Sequence, residues 1–191
     1  MLDIENSLVV LIDIQERLVG MLNKQEPVVK ATSRLASAAG IMNIPMILTE
    51  QYPKGLGSTI MDITSTIDET TPIIEKTSFS AMLTPEFAEK IKNSGKKNII
   101  IGGIETHICV YQTVLALLNE GFNVVVAKDA CASRSTDCFK TGIELMKDAG
   151  AQISNVETIL FELLKGSKNP YFKPQIKKEL IIISTLFYCL V

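Results

Sequence analysis

The sequence predicts a doubly wound α/β domain, a mostly parallel six-stranded sheet with helices on both faces. Three observations predict it. Short runs rich in Val, Ile and Leu alternate along the chain with longer segments of helical periodicity, the order that βαβ units produce. Those runs are apolar throughout rather than at every second residue, as strands covered on both faces are. Apolar residues also make up 47% of the 191 positions, enough for a core that needs neither disulfides nor a structural metal.

In order, Leu8–Asp13 reads as the first strand and Pro27–Met42 as the first helix, with Pro27 suited to an opening turn. Pro45–Thr49 is the second strand, and Glu50–Gly57, dense in turn formers, is a loop. Pro72–Lys76 is a short third strand. Thr84 caps a helix that has Pro85 at its first position and stops at Asn93-Ser-Gly95. Asn98–Gly103 is the fourth strand, and a helix from about Ile108 to Asn119 ends before Gly121. Phe122–Lys128 is the fifth strand. Ser133 or Ser135 caps a helix that runs to Ala149. Ala151–Ser154 is the sixth strand, and Asn155 caps a helix over Thr158–Lys165. No linker or internal repeat interrupts the series, so residues 1–191 are read as one domain. Leu180–Val191 is the most apolar window, at about 12 residues too short to span a membrane. It suits a buried terminal strand or helix, or a subunit contact.

Composition narrows the function classes. The net charge of −2 and the lack of like-charge runs give no support for nucleic-acid or anionic-membrane binding. The four cysteines, Cys109, Cys131, Cys138 and Cys189, form no C-x-x-C pair and read as reduced thiols. The N-terminus shows no secretory or transit signal, so the cytoplasm is the expected compartment.

In a parallel sheet ligands bind beyond the carboxyl ends of the strands. Asp13 closes the first strand, Lys76 the third and Asp129 the fifth, and Gly102-Gly-Ile-Glu-Thr-His-Ile-Cys109 joins the fourth to its helix. A carboxylate, an ammonium and a thiol are thereby expected at one sheet edge. Cys109 in a first helical turn beside an ammonium would be favoured as thiolate, the nucleophilic form. Asp13 could take the thiol proton and return it to a leaving group. Backbone N–H groups of the Glu105–Cys109 turn could hold an oxyanion. Each residue also has an ordinary reading: Asp13 as a cap, Lys76 as a solvated cation, Cys109 as a small buried hydrophobe. His107 lies two residues from Cys109 and on a helix would not face it. Cys131 and Cys138 read as buried packing.

Three segments, Leu11-Ile-Asp13-Ile-Gln15, Glu75-Lys76-Thr-Ser-Phe-Ser80 and Gly103-Ile-Glu-Thr-His-Ile-Cys109-Val110, resemble the signatures of the isochorismatase-like cysteine hydrolases, in that family's order. Thr49–Gly57 and Asp129-Ala-Cys-Ala-Ser-Arg134 resemble the isochorismatase-domain-containing subgroup, whose members occur in bacteria and in eukaryotic mitochondria and cytosol. The resemblance implies a catalytic triad of Asp13, Lys76 and Cys109, a cis peptide between Ile104 and Glu105 beside the oxyanion hole, and a homo-oligomer. Gln15, Tyr52, Phe79, Thr106, Ile108 and Arg134 are the expected pocket residues, with Arg134 either anchoring an anionic substrate or pairing with Asp137 or Glu105. Nicotinamidases of the family hold a metal through one Asp and two His. With His107 its one histidine, this chain is expected to bind no metal and no cofactor. The expected reaction is hydrolysis of a small amide or related C–N bond through a Cys109 thioester. Hydrolysis of another bond, such as a vinyl ether, and an idle oligomeric binding or scaffold protein are the alternatives.

Overall fold

The structure, a computed structural model, describes residues 1–173. The six strands are β1 (Ser7–Ile12), β2 (Met46–Gln51), β3 (Ile73–Lys76), β4 (Asn98–Ile104), β5 (Asn123–Ala132) and β6 (Gln152–Ser154). They form one sheet in the order β3-β2-β1-β4-β5-β6, and every strand pair is parallel. The helices are α1 (Glu16–Gly20), α2 (Glu26–Ile41), α3 (Pro53–Leu56), α4 (Met61–Thr64), α5 (Pro85–Asn93), α6 (Tyr111–Asn119), α7 (Thr136–Asp148) and α8 (Val156–Leu164). The doubly wound fold is as the sequence predicts. The run Leu180–Val191 lies outside the described residues.

Each central strand feeds two cores through the two-residue alternation of its side chains. On β1, Val9 and Leu11 join Val28, Ala31 and Leu35 of α2 and Ile159 and Leu163 of α8 on one face. Leu8, Val10 and Ile12 join Phe87 of α5, Val114 of α6 and Met146 of α7 on the other. Both faces are dry, so the strands read as unbroken apolar runs.

Several local expectations are corrected. The loop expected over 50–57 holds the end of β2 and the single turn α3. Thr84 takes the N-cap position of α5 but makes no capping bond, because its hydroxyl pairs with that of Ser78 at 3.2 Å. β5 continues past Lys128 to Ala132. Its pairing with β4 jumps from Ile101↔Val126 to Gly103↔Cys131, a bulge that leaves Lys128 and Asp129 exposed. Asp129 therefore does not close a strand; its carboxylate accepts from Val156 N at 2.9 Å, at the start of α8. Of the two candidate caps for α7, Ser135 accepts from Cys138 N.

Strand order reverses direction about β1 and β4, which lie side by side with Leu11 opposite Gly102 and Ile12 opposite Gly103. Crossovers leave this pair in opposite directions and open a crevice at its carboxyl end. A Cβ on Gly103 would lie 2.6 Å from both Cβ and O of Ile12, closer than atoms can approach. Gly103→Ala is expected to separate the strands and lower stability by about 2 kcal/mol or more, read from the urea midpoint at unchanged m-value.

Candidate active site

Asp13 follows β1 with a left-handed backbone (φ 52), a conformation that Asp tolerates better than most residues. Lys76 is the last residue of edge strand β3. Residues 63 apart in sequence thus meet across β2: Lys76 Nζ lies 2.7 Å from Asp13 Oδ2, and neither side chain has solvent exposure. Each charge is further hydrogen-bonded. Lys76 Nζ also donates to Gln51 Oε1 at 2.7 Å and to the carbonyls of Ser78 and Phe79 at 3.2 and 3.3 Å. Asp13 Oδ1 accepts from Thr49 Oγ1 at 2.7 Å.

Cys109 is buried, and the charges of both Asp13 and Lys76 act on its thiol. It does not sit in the first turn of an α-helix. Thr106–Val110 is a single π-helical turn that precedes α6, in which the Glu105 carbonyl accepts from Ile108 N and Val110 N. α7 backs this turn: a Cβ on Gly142 would lie 2.9 Å from His107 N and Cα, so only glycine lets the helix approach so closely. The Ile104–Glu105 peptide bond that enters the turn is cis.

Burial pushes the Cys109 thiol up to about 12, the Asp13 charge adds to the rise, and Lys76 opposes it. The arrangement is therefore an ion pair beside a neutral thiol, not the thiolate that a helix terminus and an ammonium alone would favour.

The other expected site residues divide. Gln15 is a clamp: its side chain accepts from Gln51 N at 2.7 Å and donates to the carbonyls of Gln51 and Gly57. Tyr52 and Phe79 are more than half exposed, on the segments that flank Lys76. Ile108 packs against the core of the α5–α7 face. Thr106 is buried, and its hydroxyl has no hydrogen-bond partner among the described residues. Glu105 is buried and gathers Arg134 Nε at 3.9 Å, Arg134 N at 3.3 Å and His107 Nδ1 at 3.3 Å. His107 also meets Ser133 Oγ at 3.0 Å, so its Nδ1 is engaged away from Cys109. Arg134 pairs with Glu105, not Asp137.

Thr49 and Gln51 were not among the expected site residues. Both are polar, two positions apart at the carboxyl end of an apolar strand, which puts them on one face beside the site. That pairing was their available signal. Among the described residues, no group of three or more His, Cys, Asp or Glu is placed to hold a metal ion. No helix is long and apolar enough to cross a membrane.

Removing one member of a buried ion pair leaves an uncompensated charge and costs about 3–5 kcal/mol, whereas neutralising both partners is often tolerated. Lys76→Met and Asp13→Asn alone are each expected to destabilise on that scale. The double variant is expected to be more stable than Lys76→Met, as read by urea unfolding. If the double variant is instead the sum of the singles, the pair is not what couples them.

Burial also lifts the Cys131 thiol to about 12. Both thiols ionise near 9 when unfolded, so both contribute stability that is complete below pH 9 and is lost as the pH rises toward 12. Each steepens the fall by about 1.4 kcal/mol per pH unit in that window. Thermal melts between pH 8 and 10.5 are expected to show the decline, and Cys131→Ala to flatten it.

The isochorismatase domain family matches residues 7–158. Isochorismatase family protein 1A of Dictyostelium discoideum is 38% identical over 171 residues, 87% of this chain and 82% of that protein. The solved MAR1 ribonuclease of Caenorhabditis elegans superposes with a TM-score of 0.89 at 38% identity, covering 96% and 93% of the two chains. YcaC from Pseudomonas aeruginosa, solved with hexane-2,5-diol and covalent acrylamide, superposes at 0.91 with 26% identity over 99% and 96%. With its signature segments, its six-stranded sheet and this likeness over most of its length, the chain belongs to the isochorismatase family.

Proposed function

We propose that the protein is a cysteine hydrolase acting on a small amide or related C–N bond, with Asp13, Lys76 and Cys109 as its catalytic residues and residues 1–191 as one domain. One observation carries the reading: a buried thiol under the influence of both members of a buried ion pair. A structural role for that trio is hard to find, because a buried pair adds little net stability over apolar packing.

The neutral thiol defines the order of events. Cys109 loses its proton to Asp13 as Sγ attacks the carbonyl carbon. The transfer moves no net charge into the site: Asp13 becomes neutral as sulfur becomes anionic. The carboxylate charge that raised the thiol is then gone, and the attraction of Lys76 is unopposed. Backbone N–H groups of the Glu105–Cys109 turn hold the oxyanion. Asp13 returns the proton to the leaving nitrogen, the C–N bond breaks and a thioester remains. Water then attacks the thioester, giving its proton to Asp13, and the released thiolate recovers that proton. The sum is amide plus water to acid plus amine. The thiol of Cys109 is also the nucleophile available for an adduct of the kind the Pseudomonas relative carries with acrylamide.

Tyr52 and Phe79 flank the substrate's approach past Lys76, and the unpartnered Thr106 hydroxyl is available to a polar group of the substrate. Lining by exposed aromatic side chains supports a small, partly apolar substrate and a contact surface for a second copy of the chain in a homo-oligomer.

The test is a panel of small amides, with RNA included because of the C. elegans relative's name. Cys109→Ala is expected to abolish amide turnover and Asp13→Asn to lower it about 10²- to 10⁴-fold. Alkylation of Cys109 by iodoacetamide is expected to climb with pH from 6 to 10 without levelling, since the thiol titrates far above that range. Turnover retained in Cys109→Ala would overturn covalent catalysis by this thiol.

A further inference from the structure

A cavity opens away from Asp13, Lys76 and Cys109, between the start of α2 and the segment joining β5 to α7. Its volume is about 740 Å³, and neither Asp13, Lys76 nor Cys109 lines it. Among the described residues, the cationic side chains of Lys24, Lys30, Arg34, Lys128 and Arg134 line it, with Asp129 the one carboxylate; Arg34 and Arg134 have partners of their own. That carboxylate already accepts from Val156 N. In a chain with a net charge of −2, this is a local reversal of sign in a concave surface, where field lines concentrate.

Two further features have the same sense. Pro27, Thr136 and Asn155 also line the cavity, and they stand at the N-terminal ends of α2, α7 and α8. Each end presents the positive pole of its helix. The first-turn carboxylates of these helices, Glu26, Asp137 and Glu157, are not among the lining residues. The walls also carry apolar side chains, Val28 from α2 and Phe139 from α7 among them, which suits a ligand with a planar or aliphatic body as well as charge. The bulge in β5 contributes directly, because it turns Lys128 and Asp129 outward at the cavity's rim.

We propose that this cleft binds a multiply charged organic phosphate of about nucleotide size, at a site separate from the Cys109 centre. Charge-assisted bonds from Lys30, Lys128 and Arg134 take the phosphate oxygens. The apolar walls take the body of the ligand. Arg134 also pairs with Glu105 at 3.9 Å, so an anion at this site draws on the guanidinium that neutralises Glu105.

The experiment is isothermal titration of the full-length protein with ADP and with adenosine at low ionic strength. Saturable binding of ADP is expected, at least about tenfold tighter than adenosine, weakening steadily with added salt. Lys30→Ala/Lys128→Ala, which alters only exposed side chains, is expected to bind ADP at least about tenfold more weakly, while Lys147→Ala, outside the cleft, leaves it unchanged. Thermal melts establish that each variant is folded. Absence of saturable ADP binding, equal affinity for adenosine, or full affinity in the double lysine variant would each overturn the site.

Discussion

The Asp13–Lys76 ion pair is the constraint on which the rest of the site depends. Taking two charges wholly out of water is expensive, and attraction between them repays it only when every remaining donor and acceptor is satisfied. Here satisfaction requires three strands. β1 supplies Asp13, β2 supplies Thr49 and Gln51, and β3 supplies Lys76, while the following loop turns the carbonyls of Ser78 and Phe79 inward. Gln15 then ties the chain after β1 to Gln51 and Gly57. Cys109 is the fourth strand's contribution, carried past the end of β4 by its own turn. The sheet is therefore the scaffold of a polar network with a buried ion pair at its centre.

This arrangement changes what a lysine beside a cysteine means. An exposed ammonium would stabilise a resting thiolate. With the ammonium already matched by a carboxylate and the thiol buried, the neutral form is favoured. On the proposed reading, reactivity then belongs to the whole trio rather than to the sulfur, with Asp13 as the acceptor of the thiol proton.

Much of this was legible in the sequence. The apolar runs Leu8–Ile12 and Asn98–Gly103 and the helical periods between strands fix the layers, since burial on both faces and amphipathic covering leave distinct patterns. Asp13, Lys76 and Cys109 stand out as polar residues at strand ends. The elements that were not legible are short: α1, α3 and α4 have five, four and four residues, too few for a period to register. The π-turn at Thr106–Val110 and the β5 bulge were hidden for a different reason. Both arise from packing against distant chain, α7 at Gly142 and β4 at Gly103, which no local pattern encodes. The roles of Thr49 and Gln51 were missed because a polar residue at the end of a strand has many uses, and only the position of Lys76 selects this one.

Lys76 reaches the centre of the molecule from its margin. β3 is a four-residue strand at the edge of the sheet, paired on one side by β2 alone, and two of its residues face solvent. Margins open more often than cores, in local excursions that leave the rest of the fold intact. Each such excursion withdraws the ammonium, admits water to Asp13 and returns Cys109 to the condition of an ordinary buried thiol. The fraction of molecules in which the pair is intact thus follows the local opening of four residues wherever that opening costs less than unfolding the whole. Hydrogen exchange at β3 amides reads the one quantity; denaturant reads the other.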